Sequence, residues 1–96
     1  MYLMISLFQS GLSMEEIEKT SEERAEQYRK VPGLVQKYYV FDKALGRIGG
    51  IFVFDTFENL QAFQESDLAR STAEAYKFQG TPHGRVLEIA KVLRES

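Results

Sequence analysis

Four short apolar segments and two amphipathic ones, in the order strand, helix, strand, strand, helix, strand, predict an α+β domain: a four-stranded antiparallel sheet with both helices on one face. Two features support this. Helical spacing of apolar residues follows capping patterns at Ser13 and Asp55, and the remaining apolar runs are short and bounded by Gly, Pro or polar breaks. A third feature sets a problem. In "GGIFVF", Gly49 to Phe54, the residues Ile51, Phe52, Val53 and Phe54 put bulk on both faces of one strand. Two helices cover only one of those faces.

Tyr2 to Phe8 reads as the first strand, and the Gln-Ser-Gly run at Gln9 to Gly11 breaks it. Ser13 and Glu16 then match the S-x-x-E capping box, in which each side chain satisfies an amide of the helix start. Met14, Ile17, Ser21, Ala25 and Tyr28 follow at helical spacing, with Glu15, Glu18, Glu22, Glu23, Glu26 and Arg29 on the outer side. "VPG", Val31 to Gly33, stops that helix. The second strand runs from Leu34 to Phe41, a polar connection spans Asp42 to Arg47, and the third strand runs from Ile48 to Phe54. Asp55, three residues before Glu58, gives a second capping pattern, with Phe57, Leu60 and Phe63 as the buried stripe. The helix is expected to resume from Asp67 to Phe78 after a break at Ser66. "GTPHG", Gly80 to Gly84, reads as a loop, and Val86 to Leu93 as the fourth strand. This order is the split βαβ, or ferredoxin-like, plan in a single domain over residues 1–96. The expected core is Ile5, Leu7, Ile17, Val53, Leu60, Phe63 and Val86.

A chain of 96 residues suits one domain and buries a modest fraction of its surface, so a partner subunit is an expected source of support. Cysteine is absent, which removes disulfides, thiolate metal sites and Cys nucleophiles together, and a single His excludes a multi-histidine metal site within one chain. Twelve Lys and Arg against 14 Asp and Glu, with no basic block, argue against nucleic acid as a partner. The opening "MYLMISLF" is apolar but short and lacks a basic flank, so it reads as a strand of a cytoplasmic protein, and no stretch reaches the roughly 20 apolar residues of a membrane span.

Leu3, Ile5, Leu7, Ile51 and Val53 share one face of the sheet; Tyr2, Met4, Phe8, Tyr39, Phe41, Phe52 and Phe54 share the other. Leaving five such side chains in water forgoes about 1.5–3 kcal/mol each, against a typical net stability of about 5–15 kcal/mol. The simplest cover for the second face is the same face of another copy, a homodimer of sheets packed about a twofold axis. Parity alone leaves open which set faces the helices.

"PGLVQKYYV" from Pro32, "GGIFVF" from Gly49, "LAR" at Leu68 to Arg70 and the closing "VLEIAKV" from Val86 together resemble the YdhR-like monooxygenases of the dimeric α+β-barrel superfamily, over most of the chain. The resemblance implies a homodimer with a ligand cavity between each sheet and its helices. It also implies kinship with cofactor-independent oxygenases of aromatic polyketides and with haem-degrading enzymes. The chain departs from that group in carrying Asp67 and Leu68 where members often have His ahead of the Ala-Arg pair, and Gln36 and Tyr39 in place of strand tryptophans.

The candidate site residues each have a plainer explanation. Gly49 and Gly50 leave room for a flat ligand over the backbone, or serve a bulge or close packing contact. Tyr38 and Tyr39 face opposite sides, so one of them borders any cavity. Lys37 steers an anionic or phenolic ligand, or snorkels to the sheet edge. Arg70 suits a carboxylate or enolate oxygen, or pairs with Glu74 four residues on. His83 in its Gly/Pro stretch is a candidate general base, or an exposed turn residue. Phe52, Phe54, Phe57, Phe63, Tyr76 and Phe78 form an aromatic cavity wall, or simply core. The catalytic candidates are therefore His83, Arg70 and Tyr39, and the ligand-binding ones Lys37, Gly50, Phe52 and Phe63. No metal or cofactor is expected. With no recognised catalytic constellation, the chemistry would come largely from an electron-rich phenol or enol that reacts with dioxygen once deprotonated and positioned. The alternatives are a non-catalytic module holding a small apolar ligand in the same cavity, and haem binding or degradation, the latter weakened by the missing helix histidine.

Overall fold

In the computed structural model, which describes residues 1–94, the chain runs β1 (Tyr2–Ser10), α1 (Met14–Arg29), β2 (Leu34–Asp42), β3 (Arg47–Phe54), α2 (Phe57–Gln64), α3 (Asp67–Arg70), α4 (Thr72–Ala75) and β4 (Phe78–Glu88). Residues 95–96 of the expected domain lie outside the described residues. The strands form one antiparallel sheet in the order β2-β3-β1-β4, so the expected ferredoxin-like plan is the one observed.

The capping box forms as its spacing dictates: Ser13 N donates to Glu16 Oε1 at 2.9 Å, and Glu16 N donates to Ser13 Oγ at 3.2 Å. Hydrogen bonding from the Ser13 backbone first, and from its hydroxyl second, holds the Glu16 carboxyl below its usual pKa. Gly33 closes the turn after α1 at φ +76°, and any side chain there would run into Asp55 and Asn59, with a Cβ 2.4 Å from each. The β2–β3 hairpin is clamped by Asp42, whose Oδ2 accepts from Arg47 Nη2 at 2.7 Å.

The second half differs from expectation in three places. Thr56, not Asp55, caps α2 by accepting from Asn59 N at 3.1 Å, while Asp55 accepts from Asn59 Nδ2 at 2.9 Å. The helical stretch expected to run to Phe78 breaks into α3 and α4 at Ser71, and Lys77, at φ 53°, turns the chain so that Phe78 begins β4. The Gly80–Gly84 stretch, expected as a loop, lies inside β4, which ends at Glu88 and not at Leu93. Pro and Gly are tolerated there because β4 is an edge strand with an irregularity opposite Leu7 to Gln9, where a missing N–H breaks no ladder.

The helices take the aromatic face of the sheet. Met4, Tyr28, Phe52, Phe54, Leu60 and Phe63 form one buried cluster and Phe8, Ile17 and Tyr76 a second. Phe54 and Leu60 are fully buried. The expected core was right for Ile17, Leu60 and Phe63 but misplaced on the sheet. Ile5, Leu7 and Val53 project from the opposite face and are only half-buried, and Val86 lies on the edge strand, partly exposed. Ring centroids of Phe63 to Phe52, Phe54 and Tyr28 lie 5.4, 5.6 and 5.9 Å apart in tilted contacts, the geometry aromatic quadrupoles prefer. Long rings suit this face because they bridge the space between a sheet and three short helices beside one long one.

Candidate functional site

Between the aromatic face and α1, α3 and α4 lies a cavity of about 1240 Å³. Sites for small organic ligands commonly run to about 300–1,000 Å³, so this space, open at the sheet edge by His83 and Arg85, is large for such a site. Met4, Phe8, Ile17, Tyr28, Phe52 and Phe63 supply apolar wall from both layers.

The paired glycines have different jobs. A Cβ on Gly49 would lie 1.8 Å from the carbonyl oxygen of Ser6, so this glycine exists because β1 and β3 approach closely. Gly50 is buried and faces the cavity. A Cβ there would come within 3.0 Å of the Phe52 ring and 3.3 Å of Lys37 Cε, so its absence lets both side chains pack down onto the strand.

Two cations reach the aromatic wall without a carboxylate. Lys37 Nζ sits 3.3 Å from the Tyr28 ring centroid, 4.3 Å from that of Tyr39 and 5.0 Å from that of Phe52. Burial, with the Arg24 guanidinium second, lowers its pKa from 10.5 to about 7. Arg24 is itself buried in α1. Its Nη2 donates to the carbonyl of Leu68 at 2.7 Å and to Thr72 Oγ1 at 3.2 Å, and its Nη1 donates to Ser71 Oγ at 3.1 Å, tying α1 to α3 and α4. Its Nε has no partner, and its Cζ lies 5.9 and 6.0 Å from the Tyr28 and Tyr76 rings. The Tyr76 hydroxyl bonds Ser21 at 2.8 Å, and burial raises the pKa of Tyr76 and of Tyr39.

The residues expected to form a site gather on this one cavity. Lys37, Tyr39, Gly50, Phe52, Phe63, Arg70 and His83 all line it. Tyr39 faces the helices and Tyr38, paired with Ile51, faces away. Arg70 takes part in neither of the two ion pairs among the described residues, so the pairing with Glu74 is not made. His83 is exposed on the edge strand, and its pairing with Leu7 puts it on the sheet side away from Phe52, so it borders the cavity without entering the aromatic wall. Sequence reasoning passed over Arg24, Ser21 as a polar group, and Tyr28 as a ring facing the cavity. A signal existed: Arg24 falls between Ile17, Ser21 and Tyr28 on the helix stripe that must be buried, where a charged residue calls for an explanation.

No family model and no curated protein matches the chain. Solved structures do match it over nearly all its length. SnoaB, a cofactor-independent oxygenase from Streptomyces nogalater, superposes with a TM-score of 0.75 at 14% identity, covering 98% of this chain and 97% of that one. A dimeric ferredoxin-like protein of unknown function from Thermobifida fusca gives 0.72 at 13% identity, covering 92% and 90%. An antibiotic biosynthesis monooxygenase gives 0.71 at 12% identity, covering 95% and 100%. At these identities the likeness establishes the fold. The similar structures include antibiotic biosynthesis monooxygenases and a ferredoxin-like protein, and they do not single out the YdhR-like group expected from the sequence. Among the described residues no helix is long and apolar enough to cross a membrane.

Proposed function

We propose that this chain is a cofactor-independent monooxygenase of the YdhR-like kind, acting as a cytoplasmic homodimer on a flat, hydrophobic phenol or enol of the aromatic-polyketide type. The observation that supports it best is the aromatic cavity with Lys37 on its wall, Arg24 against the Tyr28 ring that lines it, and no carboxylate paired to either. An apolar slot accepts the ring system, and the cations favour its oxygen as an anion. A deprotonated phenol or enol is electron-rich enough to reduce dioxygen directly. For an anthrone-like methylene the balance is one dioxygen consumed, one oxygen atom retained as a carbonyl, and the other released as water with the two hydrogens of that carbon. Tyr39, Gly50, Phe52 and Phe63 set the plane of the rings, while Arg70 and His83 stand at the border where substrate and water exchange. One similar structure, SnoaB, is named a cofactor-independent oxygenase, which agrees with this reading.

The second copy is assigned to the open face. Leu3, Ile5, Leu7, Ile51 and Val53 lie there half-buried, with no helix among the described residues on that side, flanked by exposed Tyr38 and Leu87. The test is an oxygen-electrode screen of phenols and anthrones with metal-free protein. Uptake without added metal, flavin or haem is the expected result. Tight binding without uptake moves the assignment to a ligand-binding module, and uptake that requires haem moves it to haem chemistry.

A further inference from the structure

We infer that Lys37 is the proton acceptor of this site: its neutral amine takes the hydroxyl proton of a bound phenol or enol, and the ammonium so formed holds the resulting anion. The inference rests on the reading of the cavity as a site for flat hydroxylated aromatics.

A lysine paired with a carboxylate stays protonated and cannot accept. Lys37 has no such pair; the ion pairs among the described residues are Glu26–Arg29 and Asp42–Arg47, both elsewhere. Its Nζ instead lies among Tyr28, Tyr39 and Phe52 on the cavity lining, its stem packed over Gly50. Arg24 reaches the same Tyr28 ring, its own hydrogen bonds going to a carbonyl and two hydroxyls, so no anion offsets its charge toward the amine. A lysine desolvated in an apolar pocket near a second cation is a physical recipe for a neutral amine at neutral pH. Burial and Arg24 together bring the pKa to about 7, against the pull of the rings toward the ammonium.

The remaining ionisable groups on the cavity do not compete. Glu15, Glu18 and Glu22 of α1 are exposed at its outer part, and Arg70 of α3 and Arg85 of β4 are exposed cations. Tyr39 and Tyr76 are held by burial above the usual phenol pKa, so neither supplies a tyrosinate. His83, the group sequence reasoning favoured as base, stands on the edge strand opposite Leu7. In the step proposed, the substrate O–H bond breaks, its electron pair stays on oxygen, and an N–H bond forms on Nζ. A neutral pair becomes an ion pair with no change in net charge.

The probe is 2-naphthol, a flat phenol whose neutral and ionised forms absorb at different wavelengths. At about one pH unit above the lysine's value, the free amine is roughly 90% neutral and the free phenol, ionising near 10, is mostly protonated. The expected result is a bound naphtholate band, with close to zero protons exchanged with solvent when binding is measured calorimetrically in buffers of different ionisation heat. Lys37→Met should bind the phenol without that band. Lys37→Arg, which keeps a charge but accepts nothing, should release about one proton per ligand. Release of a full proton by the wild-type protein shows that Lys37 was already an ammonium and overturns the inference, as does loss of the band in His83→Ala. A band with no oxygen uptake on any substrate sustains the inference and removes the oxygenase. Probe bound only as the neutral phenol, with uptake on other substrates, does the reverse.

Discussion

The two faces of this sheet are built from similar amounts of apolar side chain and do opposite things. Toward the helices stand Met4, Phe8, Phe52 and Phe54, long side chains whose tips meet Tyr28, Leu60 and Phe63 but leave a space between layers. On the other side stand Leu3, Ile5, Leu7, Ile51 and Val53, short and branched, making a flatter surface with no helix layer over it among the described residues. Bulky rings held apart by a helix layer enclose a volume; aliphatic side chains on a pleat enclose nothing and pack best against another sheet. Side-chain length, not hydrophobicity, separates the face that borders the cavity from the face proposed to associate.

The comparison breaks first at Phe54. Phe54→Ala removes a fully buried ring from the helix face and should destabilise the fold by about 3–5 kcal/mol, read as a lowered midpoint of urea unfolding. Equal truncation on the open face, Ile51→Ala, should act on the monomer much less and chiefly on association. If both lower the monomer's stability equally, the distinction between faces is lost.

Next in size is association itself. Since Phe52 and Phe54 both turn toward the helices, neither is the residue to charge in a test of the dimer; Ile51 and Val53 are. Ile51→Lys should convert a dimer to a monomer in light scattering, while leaving the cavity's ligand affinity within a few-fold. A wild-type protein that is monomeric at micromolar concentration removes the role assigned to the open face.

A third test fills the cavity from its floor. Gly50→Phe pushes the Phe52 ring and the Lys37 stem off the strand and into the cavity, and should abolish binding of multi-ring phenols while retaining the far-ultraviolet circular dichroism of the native sheet. Unchanged affinity would show that ligands sit elsewhere.

A fourth test concerns pH dependence. Lys37 has a folded-state pKa of about 7, depressed from 10.5, so the unfolded chain binds more protons between those values. The charged form is disfavoured in the fold; its penalty is complete below about pH 7 and fades as pH rises toward 10.5. Unfolding free energy of the wild type relative to Lys37→Met should therefore rise with pH across that window. A flat difference would mean that the amine is ordinary.

Much of the fold could be read before any coordinates, because its signals are local. Ser13 and Glu16 announce a helix start that forms bond for bond, and the strand–strand hairpin from Leu34 to Phe54 follows from two apolar runs around a polar turn. What escaped the sequence is what depends on the third dimension. Alternation divides the strand residues into two sets but cannot say which set meets the helices when both are apolar, so Ile5 and Val53 were assigned the wrong side. Pro82 and its glycines read as a loop because breaker residues carry the same letters on an edge strand as in a turn. Lys37 and Tyr39 could be singled out as odd residues in a strand, but their company with Arg24 arises from α1 crossing over β2 and β3, a contact no spacing encodes.

β4 has a further consequence. At eleven residues it is the longest strand, and it lies at the sheet's margin with one row of backbone groups unclaimed. Such a margin is a template on which foreign chains can add, the first step toward fibrils. Here the template is spoiled along its middle: Pro82 has no donor to offer, Gly80 turns the backbone to φ +72°, and the irregularity opposite Leu7 to Gln9 interrupts any continuous register. The stretch that looked like a failure to form a strand is what lets a long one exist at the surface without recruiting its neighbours.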